Sequence, residues 1–228
     1  MKALIFDVDG TLAETEELHR AAFNQAFVAA GLDWHWDRTL YAELLAVTGG
    51  KERIRFAIDR GARPALDASA IAGLHAAKTQ HYTGGIASVA LRPGIHRLLD
   101  AAAAAGMTLA IATTTSPANV DALLRATLGP DGPARFAVIA AGDCVPAKKP
   151  APDIYRYALD RLGLSGSECL AIEDTIQGLK AARGAGVPTI ITRSVYGGQD
   201  GFEAAAAVLD DLGAVSLDEL RRVHSSSR

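Results

Sequence analysis

A chain of 228 residues, 49% hydrophobic and 21% charged, has the composition of a globular protein of one large domain or two small ones. Its net charge of −3, with no basic stripe, argues against nucleic-acid binding by phosphate neutralisation. The apolar runs fall far short of the ~20 residues a membrane helix needs, the first residues lack the regions of a signal peptide, and Cys144 and Cys169 alone suggest no disulfide framework. The expectation is a cytoplasmic monomer with no nucleic-acid or membrane partner.

Apolar runs at 3–6, 109–112, 136–140, 169–172 and 187–191 read as buried strands, with a weaker one at 207–209. Helical patterns at 95–105, 118–128, 154–162 and 176–185 separate most of them, which predicts an α/β fold: a Rossmann-like parallel sheet with helices on both faces. Between the first two strands lie about a hundred residues without a convincing strand. Helical spacing at 14–30, 37–47, 51–60 and 68–81 makes them an all-helical insertion that rejoins the sheet near Arg92-Pro93-Gly94. The expected division is a core of residues 1–13 and 89–228 and a helical cap of 14–88. The polar tail 225–228 reads as frayed.

The first strand ends in Asp7-Val8-Asp9-Gly10-Thr11. Residues i and i+2 of extended chain point the same way, so Asp7 and Asp9 present two carboxylates where open α/β sheets put their ligands. Two acids crowded there repel unless a cation lies between them or one keeps its proton. Thr113-Thr114-Thr115-Ser116-Pro117 follows the second strand; Ser116 reads as the N-cap of the next helix, while Thr113 is better placed to donate to a phosphate oxygen. Lys148-Lys149-Pro150 follows the third strand, with Lys149 favoured over Lys148 to offset charge near Asp7. Glu173-Asp174 follows the fourth. Carboxylates from two strand ends are the minimum for Mg²⁺, a hard cation that keeps several waters.

In this order, each after its own strand, the motifs resemble the haloacid dehalogenase-like phosphohydrolases over essentially the whole chain, helical cap included. The resemblance implies Asp7 as nucleophile, Asp9 as general acid/base, and Thr113 and Lys149 as phosphate contacts. Mg²⁺ would be held by Asp7, the backbone carbonyl of Asp9 and Asp174, with Glu173 in support. An ordinary Asp titrates near 3.9, so Asp9 is expected to have its proton stabilised by its surroundings on closure.

In the insertion, Glu16 and His19 open the first helix, Thr48-Gly49-Gly50-Lys51-Glu52-Arg53 feeds basic residues into a helix N-terminus, and His75 and Lys78 share a helical face. Cations there oppose the macrodipole, a conflict an anion would relieve. Lys51, Arg53 and Lys78 are therefore expected to read a second phosphate, and Glu16 and His19 sugar hydroxyls. This cap resembles that of the β-phosphoglucomutase-like subgroup, most closely its CbbY branch, which removes xylulose 1,5-bisphosphate, an inhibitor of the Calvin-cycle enzyme Rubisco. The resemblance extends the substrate contacts to Gly49, Gly50, Glu52, His75, Thr114, Thr115, Ser116 and Asn119. A phosphosugar mutase is the alternative outcome on this fold. A phosphoacceptor signalling module is disfavoured, because it needs neither the second acid nor a cap.

Overall fold

In a computed structural model, which describes residues 1–62, 64–198 and 200–227, six strands form one parallel sheet: β1 (Ala3–Phe6), β2 (Thr108–Thr113), β3 (Val138–Ala141), β4 (Cys169–Glu173), β5 (Thr189–Thr192) and β6 (Ala207–Leu209). Their order is β3-β2-β1-β4-β5-β6. The runs read as strands are nearly continuous in apolar residues because both faces of the sheet are covered. Leu4 and Phe6 pack on one side with α5 (Ile95–Ala104), α6 (Pro117–Leu128) and α9 (Leu217–Ser226). Ala3 and Ile5 pack on the other with α7 (Asp153–Leu162) and α8 (Ile176–Gly184).

The block between β1 and β2 holds α1 (Glu16–Ala29), α2 (Arg38–Leu44), α3 (Gly50–Asp59) and α4 (Ala68–Gly85), with no strand among the described residues. It has its own aromatic-rich core, built on Phe23, Phe27, Trp34, Trp36 and Tyr41. Both chain crossings lie side by side: Ala13 bridges Leu91, and Arg92 N–H donates to the Leu12 carbonyl at 2.8 Å.

Some differences from the sequence reading have a local cause. Helix α4 runs past residue 81 through Gly84-Gly85, because a Cβ at Gly85 would come within 2.7 Å of Leu18 Cδ1; the glycine lets α1 pack close rather than ending the helix. Strand β3 starts at Val138, not 136, since a tight helical turn at Gly132–Arg135 still occupies the chain just before it. Strand β5 starts at Thr189, after Pro188, which has no N–H to give a ladder. The expected frayed tail is instead largely helical. In α9, Ser216 and Glu219 form a capping box and Leu217, Leu220 and His224 are buried; Ser225 and Ser226 belong to this helix, and Arg228 lies outside the described residues.

Candidate active site

Strands β2, β1 and β4 are neighbours, so the residues at their carboxyl ends converge. Asp7 directly follows β1, and its N–H extends the ladder to the Ile172 carbonyl at 3.0 Å. Thr113 ends β2 and is buried; Glu173 ends β4 and Asp174 follows it. Lys149 reaches in from the segment after β3 and donates to Asp7 Oδ1 at 2.6 Å, Glu173 Oε1 at 2.6 Å and the Ala112 carbonyl at 2.8 Å. That uses all three ammonium hydrogens. Lys148 turns away to Asp143 and the Gly142 carbonyl, so of the two lysines it is Lys149 that lies on Asp7.

Carboxylate oxygens of Asp7, Glu173 and Asp174 lie within 4.8 Å of one another, all in buried residues. Burial raises the Asp7 carboxyl to about 7 against the pull of Lys149, and burial with the charges of Asp7 and Glu173 holds Asp174 well above the carboxylate range. Asp174 Oδ1 and Glu173 Oε2 are buried without a hydrogen-bond partner, although Ser194 donates to Asp174 Oδ2 and Tyr155 to Glu173 Oε1. Mutually repelling hard oxygen donors with an unfilled acceptor fit a divalent cation. Gly10 leaves room for the cluster, since a Cβ there would lie 2.1 Å from Asp174 Oδ2; its φ of +77° also favours glycine.

In the substrate-free site the surroundings of Asp9 favour its carboxylate. Burial alone would raise its pKa, but the charge and hydrogen bond of His19, the Thr15 hydroxyl and the charge of Lys78 outweigh it and hold the carboxyl below its usual range. Thr15 and His19 (2.9 Å) both donate to Oδ1, which favours the carboxylate over the acid. Behind His19, Lys78 contacts the other ring nitrogen; burial, with the Arg53 charge, lowers its ammonium to about 7 against the attraction of Asp9.

One cavity of about 350 Å³ spans the cleft from Asp7, Asp9 and Asp174 to the helical insertion. Its walls include Thr113, Lys149, Glu16, His19, Gly49, Gly50, Arg53, His75 and Lys78, together with Thr114, Thr115, Ser116 and Asn119. Ser116 occupies the N-cap position of α6, but its side chain makes no capping bond; the hydroxyl is buried without a partner, so the capping reading is corrected. Asn119 Oδ1 and Arg53 Nε are also unpartnered. Lys51 and Glu52 are not in this wall. Lys51 pairs with Asp143 across the seam at 2.5 Å, and Lys78 lies at His19 rather than beside Lys51. Sequence reasoning missed Tyr41, which donates to Glu16 at 2.6 Å and accepts from Arg53 at 3.1 Å, and also Thr15, Tyr155, Ser194 and Tyr196. Apart from Thr15, six residues from Asp9, these residues lie too far from their partners in the chain for spacing to link them.

Residues 1–186 match the haloacid dehalogenase-like hydrolase family. The chain belongs to this family. It is an enzyme, a phosphatase. It is 54% identical over 223 residues to the protein CbbY of Rhodobacter capsulatus, covering 96% of this chain and 97% of that one. Among solved structures it is similar to CbbY from Rhodobacter sphaeroides in complex with phosphate, at a TM-score of 0.92 and 49% identity over 97% of this chain and 99% of that one. A variant of that CbbY in complex with xylulose 1,5-bisphosphate gives a TM-score of 0.92 at 48% identity, covering 96% and 99% of the two chains. Within the haloacid dehalogenase-like hydrolases the chain is thus similar to CbbY proteins, and among its described residues no helix is long and apolar enough to cross a membrane.

Proposed function

We propose that this phosphatase is a Mg²⁺-dependent sugar-bisphosphate phosphatase that converts xylulose 1,5-bisphosphate to xylulose 5-phosphate. The observation that carries the reading is one cavity lined both by Asp7 and Asp174, of the nucleophile and cation cluster, and by Arg53 and Ser116, whose Nε and Oγ have no partner. The similarity to a CbbY that is bound to this sugar supports it. Residues 1–13 and 89–228 act as the catalytic core and 14–88 as the cap.

A carboxylate oxygen of Asp7 attacks phosphorus in line as the ester bond to the sugar oxygen breaks, leaving an aspartyl-phosphate. Asp9 supplies the proton to the departing oxygen, then takes one from the water that attacks the phosphoryl group, releasing phosphate and restoring Asp7. Because His19 and Lys78 hold Asp9 as a carboxylate in the substrate-free state, it takes up its proton when the substrate's negative charge enters beside it. Lys149, already against Asp7, offsets the charge that would repel the attack, and Thr113 donates to a phosphoryl oxygen. Asp7, Asp174 and the Asp9 carbonyl would hold Mg²⁺, with Glu173 keeping Lys149 in place; the cation would neutralise phosphoryl charge. Arg53, Ser116 and Asn119 take the second phosphate, with Gly50 letting His75 approach, while Glu16 and His19 orient the sugar.

The test is phosphate release from a panel of sugar mono- and bisphosphates with Mg²⁺ and with EDTA. Xylulose 1,5-bisphosphate should be the best substrate by at least tenfold in kcat/KM, with activity lost in EDTA. A monophosphate turned over equally well, or an isomerised sugar phosphate in place of free phosphate, refutes the reading.

A further inference from the structure

The loop after β5 touches two distant parts of the molecule with alternate residues. Ser194 Oγ donates to Asp174 Oδ2 at 2.6 Å, both groups buried. Gly197 lies against the same residue: a Cβ there would come within 2.3 Å of the Asp174 carbonyl oxygen. Val195, between them, faces solvent at 74% exposure. Tyr196 points the other way, into the helical cap. Its hydroxyl donates to Glu17 Oε1, and its ring meets Tyr41 edge-on at 5.8 Å and 89°. Glu17 is a fixed acceptor, held from within the cap by Arg20 at 2.9 Å and Arg38 at 3.0 Å. Tyr41 is itself bonded to Glu16 and Arg53, the cap residues assigned above to the substrate.

We infer that residues 194–197 are a positioning strap that couples cation binding at Asp7 and Asp174 to docking of the cap, with Tyr196 as the coupling residue. The inference rests on the metal reading above and goes beyond it, because nothing in the chemistry of phosphoryl transfer requires the two to be linked. Asp174 carries like charges on two sides, Asp7 and Glu173. A cation that draws Asp174 toward Asp7 fixes the partner of Ser194 and the backbone on which Gly197 packs. Tyr196 lies between those two contacts in the chain, so its position is fixed with them. Its ring and hydroxyl then favour the docked cap, in which Tyr41 holds Glu16 and Arg53. By linkage the effect is reciprocal: a docked cap tightens cation binding by the same factor.

The chain carries its own reporter. Its two tryptophans, Trp34 and Trp36, both lie in the cap, and the Trp36 ring is 6.1 Å from Tyr41. Tryptophan emission therefore senses the docking edge, while Asp7 and Asp174 belong to the core. Mg²⁺ is titrated into the full chain and into Y196F and Y196A, following emission and, on the same samples, the heat of binding; thermal melts check that each is folded. The wild type should show a saturable emission change with the midpoint of the calorimetric curve. In Y196A the emission change should vanish and the Kd for Mg²⁺ rise by about fivefold, the lower end of ordinary coupling. Y196F keeps the ring, so a diminished response supports the strap and a wild-type response overturns it, which carries the test should Y196A fail to fold. Mg²⁺ binding to the wild type without an emission change also overturns it, as does a Y196A variant with wild-type amplitude and Kd. If the wild type binds no Mg²⁺ at all, the metal reading falls, and the strap with it.

Discussion

The two walls of the cleft handle charge in opposite ways. On the sheet side, the buried cation is answered by anions: Lys149 sits 2.6 Å from both Asp7 and Glu173 and spends its last hydrogen on a backbone carbonyl, while Asp174 has only the Ser194 hydroxyl. On the helical side, buried cations rest on aromatic rings instead. The Arg53 guanidinium lies 5.3 Å from the Tyr41 ring centre, and the Lys78 ammonium 5.0 Å and 5.1 Å from those of Phe23 and Tyr82. Rings attract a cation without consuming its hydrogen-bond donors. Arg53 Nε consequently stays unpartnered. The sheet side spends its cation's donors and leaves two carboxylate oxygens, Asp174 Oδ1 and Glu173 Oε2, without a partner; the helical side leaves a cation's donor, Arg53 Nε, without one. Substitutions in the first should damage chemistry on every substrate; in the second, those at Arg53 should damage only substrates that reach it, whereas Lys78, through His19, also acts on Asp9.

The sharpest break is Asp7→Asn. An amide cannot form the acyl-phosphate, so kcat should fall by roughly four powers of ten or more on all substrates, as when a covalent nucleophile is lost. The melting temperature should not fall, since the amide relieves repulsion with Asp174. Residual activity within tenfold of wild type in a steady-state assay refutes the nucleophile. Asp9→Asn should come next, with the ~10²–10⁴-fold loss typical of a removed acid/base group. That loss should shrink on p-nitrophenyl phosphate, whose leaving group needs little protonation. Equal losses on good and poor leaving groups would contradict the proton-transfer role. Lys149→Ala is the third, at about 10²–10³-fold in kcat/KM by the scale of a lost charge-stabilising donor. It should also lower the melting temperature, because Glu173, under 2% exposed, loses its counter-ion. Lys148→Ala should do far less, its partner Asp143 being largely exposed.

These residues were legible because the sheet makes them so. A strand with both faces buried is a short apolar run, and the first polar residue after it has one place to go, the carboxyl edge. Asp7, Thr113 and Asp174 could thus be placed without knowing anything else about the chain. Helices give no such address. The spacing of His75 and Lys78 assigns a shared face but not what the face meets, and Lys78 turns out to lie at His19 while His75 packs on Gly50. Tyr41 was invisible for the same reason, because its partners Glu16 and Arg53 belong to two other helices. The charge of Asp9 in the substrate-free site was not legible, because it depends on His19 and Thr15 lying within hydrogen-bond reach, a matter of packing. Helix α9 is a different case. Its Ser216-x-x-Glu219 capping signature was present and went unread beside the polar tail.

The smallest expected effect sharpens the comparison most. Lys51 sits two residues before Arg53 on α3, and the sequence pattern makes the two equivalent readers of a distal phosphate. The structure separates them. Arg53 is buried against Tyr41 inside the cavity, whereas the Lys51 side chain is 40% exposed and pairs with Asp143, itself 63% exposed and shared with Lys148. A solvated pair of this kind is worth ~0.2–1 kcal/mol, less than about fivefold in any rate or binding constant. Lys51→Ala should therefore change kcat/KM for xylulose 1,5-bisphosphate by less than fivefold, and the difference should fade in 0.5 M salt, where charges on exposed groups are screened. Arg53→Met should cost at least tenfold on the same substrate at either salt concentration, while p-nitrophenyl phosphate hydrolysis barely changes. If Lys51→Ala matches Arg53→Met on the bisphosphate and spares p-nitrophenyl phosphate, then Lys51 leaves Asp143 for the substrate on binding, and the exposed seam belongs to the recognition surface after all.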